Sequence, residues 1–448
     1  MRPFPLSDSA PPEHTGPLPE RTEVVVIGGG VIGVTTALFL ARAGVPVLLL
    51  EKGRIAAEQS SRNWGWVRVQ GRDPAEIPIA QEAQALWPAL AAQVDTDIGL
   101  TQGGVAYLAK DAAEMARHEA WMAAAAPFGV STQILDAEGT ARLLPDAARH
   151  WAGAMWTPTD MRAEPFVTVP ALARLAVKAG AVIREGQAVR GLDLEAGRVA
   201  GVIAEGGQIT AGAVVLAGGA WSALFLRRHG VSVPQLSVRA TVLRTAPARE
   251  VFAGGAVDDR LAFRRRADGG HSLAPEGAHD FHIGPDAFRA LPKYLPELVR
   301  DPFGTALRPA APRGYPDAWT TPRRWADDAV SPFERMRVLN PPPNRAYADR
   351  ILRDFNATFP ALGGVGAVQS WAGMIDVMPD AVPVVDVVAA LPGLTLATGM
   401  SGHGFGIGPA FGRIVADLVQ GRPAGHDLTR FRLGRFTDGS RVTVGPGL

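Results

Sequence analysis

Three glycines set the first chemical possibility. Gly28, Gly30 and Gly33 follow the spacing G-x-G-x-x-G, between a buried strand at 23–27, β-branched from Val24, and an apolar helical pattern at 31–43. Such a turn presents backbone N–H groups, here around Val31 and Ile32, to a pyrophosphate at a helix N-terminus. Gly28 frees the chain to leave the strand sharply, Gly30 admits close approach of the phosphates, and Gly33 lets the helix pack on the strand. A second buried strand at 45–50 ends at Glu51, 23 positions after Gly28. A carboxylate there accepts hydrogen bonds from ribose hydroxyls and repels a 2′-phosphate. The motif alone does not choose between a nicotinamide and a flavin dinucleotide.

The residues after Glu51 narrow the choice. Lys52 opens a polar loop containing Gln59, Ser60, Ser61 and Arg62, followed by Trp64-Gly65-Trp66. A nicotinamide dehydrogenase would normally continue its alternating strands and helices here. Val189 lies in a later run of alternating residues. Ala217, Gly218 and Trp221 end a further strand, and Gly402-His403-Gly404-Phe405-Gly406 precede a helical pattern at 409–418. With Trp371-Ala372-Gly373-Met374, these strings resemble, in order, the D-amino-acid oxidase superfamily of FAD-dependent amine oxidoreductases. Gly16-Pro17-Leu18-Pro19, Glu58-Gln59-Ser60-Ser61-Arg62, Lys293-Tyr294-Leu295-Pro296 and Ser331-Pro332-Phe333-Glu334-Arg335 are similar to bacterial L-amino acid deaminases within it.

The resemblance implies FAD on the residues just named and oxidation of an amino acid to an imino acid. Water then releases the 2-oxo acid and ammonia. It favours L-amino acids. D-amino acids, or secondary amines such as proline and sarcosine, remain the alternative, as does a non-catalytic flavoprotein subunit. Oxygen or another acceptor takes the electrons. Non-covalent attachment follows from the absence of cysteine and from Arg62-Asn63-Trp64 where histidyl-flavin relatives carry histidine.

Phe263-Arg264, ahead of Ala267-Asp268-Gly269, matches the deaminase motif whose arginine holds the substrate carboxylate, so Arg264 is the expected clamp. His403 is expected as a polar contact at the flavin, and Trp66 and Trp371 as walls of an apolar pocket. Two departures stand out: Trp66 occupies a position where the deaminases carry glutamine, and His403 one where they carry tryptophan.

The remaining sequence must position these groups. The chain has 448 residues, a formal charge of +1, 47% hydrophobic and 20% charged residues, which suits a globular protein of two or three folding units. The charge gives no drive toward nucleic acid. No cysteine means no disulfide, thiol nucleophile or thiolate metal site, and the scattered histidines suggest no metal pair. Only four lysines occur, so amine-based chemistry has few candidates. The uncharged stretch 24–41 reads as strand, turn and helix, so no integral membrane anchor is expected.

The expected fold is α/β, α+β overall. A Rossmann-like FAD-binding domain is assembled from 20–95, 163–232 and 366–435. A substrate domain on a mostly antiparallel sheet comes from 96–162 and 233–365. Residues 1–19 form an extended Pro-rich arm, and 181–217 read as a β meander. A Pro/Arg-rich insertion at 291–344 resembles the deaminase module linked to membrane contact; a lid or a homo-oligomer contact is the alternative. The expected location is cytoplasmic or peripheral to a membrane.

Overall fold

The computed structural model describes residues 4–300 and 304–445. β1 (Val24–Ile27), α1 (Val31–Arg42) and β2 (Val47–Glu51) form the N-terminal βαβ unit. β1 has parallel neighbours on both sides, with Val24 opposite Val47 and Ala213. Its unbroken valines suit a strand covered on both faces. The six-stranded sheet runs Val384–Val387, Leu394–Thr398, Ala213–Leu216, β1, β2, Val182–Glu185, with only the first strand antiparallel.

Helices pack closely on this sheet. A Cβ on Gly33 would lie 1.9 Å from the Gly28 carbonyl oxygen, so only glycine allows α1 to start there. A Cβ on Gly412 would lie 2.1 Å from Thr35 Oγ1, which is how the helix Gly404–Val419 comes against α1.

Three local readings change. Val182–Glu185 joins the parallel sheet beside β2, and the meander proper is Val189–Glu195, Arg198–Ala204 and Gly207–Thr210. Alternation gives strand character but not a partner distant in sequence. Gln59–Arg62 forms a short helix within the expected loop. The last long helix begins at Gly404, inside the glycine loop, because its first turn is buried against the cleft.

The second sheet has ten strands and is mixed, mostly antiparallel. Segments 96–162 and 233–365 both supply strands to it. Ala367–Val377 also joins it, in register with Leu236–Thr245 from Ala367 to Val377, whereas the sequence placed that stretch in the nucleotide-binding part. Trp371 thus lies opposite Val242, and Gly373 opposite Ala240, on the surface that meets the first sheet's loops.

The N-terminal segment packs back on the body. Glu185 accepts from the N–H groups of Glu13 and His14, and Phe4 stacks 5.4 Å from Trp371. In the insertion region, helix Pro285–Arg300 presents Phe288, Leu291, Leu295 and Val299 to solvent. No helix among the described residues is long and apolar enough to cross a membrane.

Candidate active site

One cavity of about 480 Å³ runs from the first sheet's C-terminal edge to the face of the second. Its first part is built by the N-terminal fingerprint. Gly28 takes φ +112°, a conformation open to glycine, as the chain leaves β1. The first intrahelical bond is Val34 N–H to Gly30 O, so the earlier amides of α1 face the cavity unspent. Val31 N–H is the exception and donates to Ser60 Oγ at 2.8 Å. Glu51 accepts from Gly29 and Gly53 N–H groups, both at 2.7 Å, which fixes its carboxylate toward the cavity. Burial pushes this carboxyl up to about 6.

Most of the expected cofactor residues converge here. Gly28, Gly30, Val31, Ile32, Glu51, Lys52, Gln59, Ser60, Arg62, Gly65 and Trp66 line the cavity. So do Val189, Ala217, Gly218, Trp221, Gly373 and the run Gly402-His403-Gly404-Phe405-Gly406. Gly33 lies behind the wall in its packing role, and Ser61 is buried out of the cavity. The bare amides, the carboxylate at the ribose position and the long glycine-edged slot fit a dinucleotide with a flat ring at the far end.

Two expected contacts are partly spent on structure. Lys52 Nζ donates to Glu58 and to the carbonyls of Met336 and Arg337, and lies 4.3 Å from the centre of the Trp221 ring. Arg62 donates to the carbonyls of Ala57 and Ala372 and to Asn340 Oδ1, and Phe4 covers it.

His403 caps the buried end of helix Gly404–Val419 beside Glu76 and Arg72. Its Nδ1 lies 3.6 Å from a Glu76 carboxylate oxygen, and Arg72 lies 3.7 Å from the same oxygen. Burial pushes the imidazole down to about 4, with Arg68 and Arg72 adding to it against Glu76. The histidine is therefore neutral, and Glu76 is the carboxylate that balances Arg72 in this pocket. Neither Glu76 nor Arg72 was singled out from the sequence.

Arg264 corrects the clearest substrate-side expectation. Its side chain is 1% exposed, does not line the cavity, and is taken by Glu164 through bonds of 2.8 and 3.1 Å. It also donates to the Trp64 carbonyl. A guanidinium so committed braces the back of the Trp64-Gly65-Trp66 segment and leaves no fork for a carboxylate. Arg266 joins the same pair at 3.3 Å. Trp371 also stands outside the cavity: its Nε1 donates to Arg62 O, and its ring packs on Phe4. Trp66 does line the cavity, packed edge-on to Trp64.

The cation that faces the substrate compartment is Arg68. It lines the cavity, makes no ion pair among the described residues, donates to the Gln70 carbonyl and lies 5.7 Å from the centre of the Tyr107 ring. The signal was in the sequence: Arg68 sits two residues after Trp66, on the same face of an extended segment. Val242 and Ala274 from the second sheet add an apolar floor.

A dinucleotide cradle opening onto a sheet-floored compartment of this kind defines a flavin-dependent oxidoreductase. The profile of the DAO family, FAD dependent oxidoreductases, matches residues 23–418, and the chain belongs to that family. It is similar to glycine oxidase of Geobacillus kaustophilus (strain HTA426), 28% identical over 93% of this chain and 97% of the relative. Among solved structures, L-amino acid deaminase from Proteus myxofaciens, in complex with anthranilate, superposes with a TM-score of 0.90 at 29% identity. That match covers 95% of this chain and 96% of the other. L-amino acid deaminase from Proteus vulgaris gives 0.89 at 28%, covering 95% and 99%. The protein is an FAD-dependent oxidoreductase acting on amino-acid or amine CH–NH groups.

Proposed function

We propose that the enzyme oxidises free amino acids at the α carbon, L-amino acids foremost, yielding an imino acid that water hydrolyses to a 2-oxo acid and ammonia. The carrying observation is Arg68, a guanidinium that lines the substrate end of the cavity and has no carboxylate partner among the described residues. FAD, held without a covalent bond, supplies the acceptor for the hydride that leaves the α carbon.

The chain's own groups do the rest. Arg68 pairs with the substrate carboxylate and thereby orients the α carbon. Trp66, Tyr107, Val242 and Ala274 enclose the compartment and exclude water. The substrate amine must be neutral when hydride departs, and no side chain of the cavity is assigned as its base. His403 remains neutral and adds no charge at the cofactor end.

The similarity to both L-amino acid deaminases supports the L-amino acid reading. The similarity to glycine oxidase keeps a small or secondary amine as the second. Anaerobic bleaching of the bound flavin by both enantiomers of an amino-acid panel, with glycine, sarcosine and proline, tests the choice. Arg68→Gln should lower kcat/KM for the best carboxylate substrate roughly 30-fold or more, the range for removing one partner of a buried charge pair. An unchanged KM with full flavin content overturns the Arg68 assignment.

A further inference from the structure

Beyond Arg68, the outer end of the cavity is rich in acids. Glu114 pairs with Lys110 and Arg117, both at 3.3 Å. Asp258 pairs with Arg149, and Asp259 with Arg149 and Lys110. The acid that lines this end with no cation of its own is Glu276, in the turn after the strand His271–Pro275. It has no ion pair and no hydrogen bond among the described residues. Partly exposed at the cavity wall, this carboxylate is free to meet a positive ligand in place of water.

We infer that Glu276 reads the side chain of the substrate and selects amino acids that end in a cationic group over neutral ones of equal length. This rests on the proposed amino-acid oxidation with Arg68 as carboxylate anchor. Arg68 lies 5.7 Å from the centre of the Tyr107 ring; Tyr107 shares a cross-strand row with Val257, Ala262 and Ala274, and Glu276 follows Ala274 by two residues, lining the same cavity. A substrate whose carboxylate sits on Arg68 and whose α carbon lies toward the cofactor extends its side chain toward Glu276. The two unpaired groups, one positive and one negative, complement a carboxylate and a distal ammonium.

Ionisation sets when this selection operates. Burial pushes Glu276 up to about 7. Arg68 opposes that push, and Asp258 and Glu114 reinforce it. Tyr107 faces the same space with its phenol raised by burial, hence neutral. Arg117, His118 and His279 complete the lining; burial lowers both histidines, His279 to about 4, so neither supplies a cation. Below pH 7 Glu276 holds a proton and tolerates a neutral side chain. Above it, the free carboxylate favours a cation and disfavours an apolar chain.

The test compares lysine with norleucine, in the enantiomer the holoenzyme turns over, between pH 6 and 8. The lysine-to-norleucine ratio of kcat/KM should rise about tenfold, following the ionised fraction of a group with pKa about 7, and be flat in Glu276→Gln. A ratio that is flat or falls in the wild type overturns the inference. Binding of 6-aminohexanoate against hexanoate, read from the flavin absorbance, gives the same comparison without turnover. Tighter binding of the amino compound in the wild type, lost in Glu276→Gln, supports the inference even if amino-acid oxidation fails. Equal binding of the two in the wild type refutes it.

Discussion

Replacing Glu164 by glutamine separates a structural Arg264 from a substrate-binding one. Glu164 precedes the helix Pro165–Lys178, accepts from Arg264 and from Ala267 N–H at 2.9 Å, and pairs ionically with Arg266 at 3.3 Å. Burial alone would raise its pKa, but Arg264 and then Arg266 outweigh it and hold the carboxyl at about 2 rather than 4.5. That difference corresponds to about 3 kcal/mol of native-state stability. The folded pKa is depressed, so this stability is present above about pH 4.5 and drains away as pH falls toward 2. A little under half is lost by about pH 3.5. In Glu164→Gln two buried guanidiniums lose their anion, at a cost of about 3–5 kcal/mol. For a chain of 448 residues this lowers the melting midpoint by about 3–5 °C at pH 7. Differential scanning fluorimetry of the holoenzyme at pH 7 and 4 should show the gap between the two proteins narrowing by about a quarter on acidification, while KM for the substrate moves little. Unchanged melting with a strongly raised KM would refute the reasoning and restore Arg264 as the clamp.

Three further outcomes are expected. FAD affinity, followed by flavin fluorescence quenching, should fall by up to about tenfold from pH 7 to 5 as Glu51 protonates through about 6, and Glu51→Gln should remove that dependence. Gly412→Ala forces a methyl into Thr35 and should cost about 1–3 kcal/mol in urea unfolding, with weaker FAD retention if the α1 amides hold the pyrophosphate as proposed. Acid precipitation of the holoenzyme should leave the pellet colourless, and flavin kept on the polypeptide would contradict non-covalent attachment.

The cofactor cradle was legible because its parts are local. Gly28 through Glu51 form one contiguous βαβ unit, and each residue acts through its neighbours' backbone. The substrate end was not. Arg264 fitted a known motif, yet whether a guanidinium is free depends on Glu164, 100 residues away. Arg68 and Glu276 carry no motif; they matter because the fold leaves each without an ion pair among the described residues. Strand pairing failed in the same way at Val182–Glu185 and Ala367–Val377, whose neighbours are set by long-range register.

The stapling of the 291–344 region to the cofactor loop has a consequence for handling the protein. Lys52 reaches the carbonyls of Met336 and Arg337, and Glu58 accepts from Leu339 N–H and Trp221 Nε1, all next to the residue assigned to the ribose. Anything that settles the segment from Glu51 to Glu58 therefore also settles the insertion's C-terminal anchor. Limited digestion within the insertion should therefore gauge cofactor loading: a preparation short of FAD is expected to be nicked there before its core unfolds.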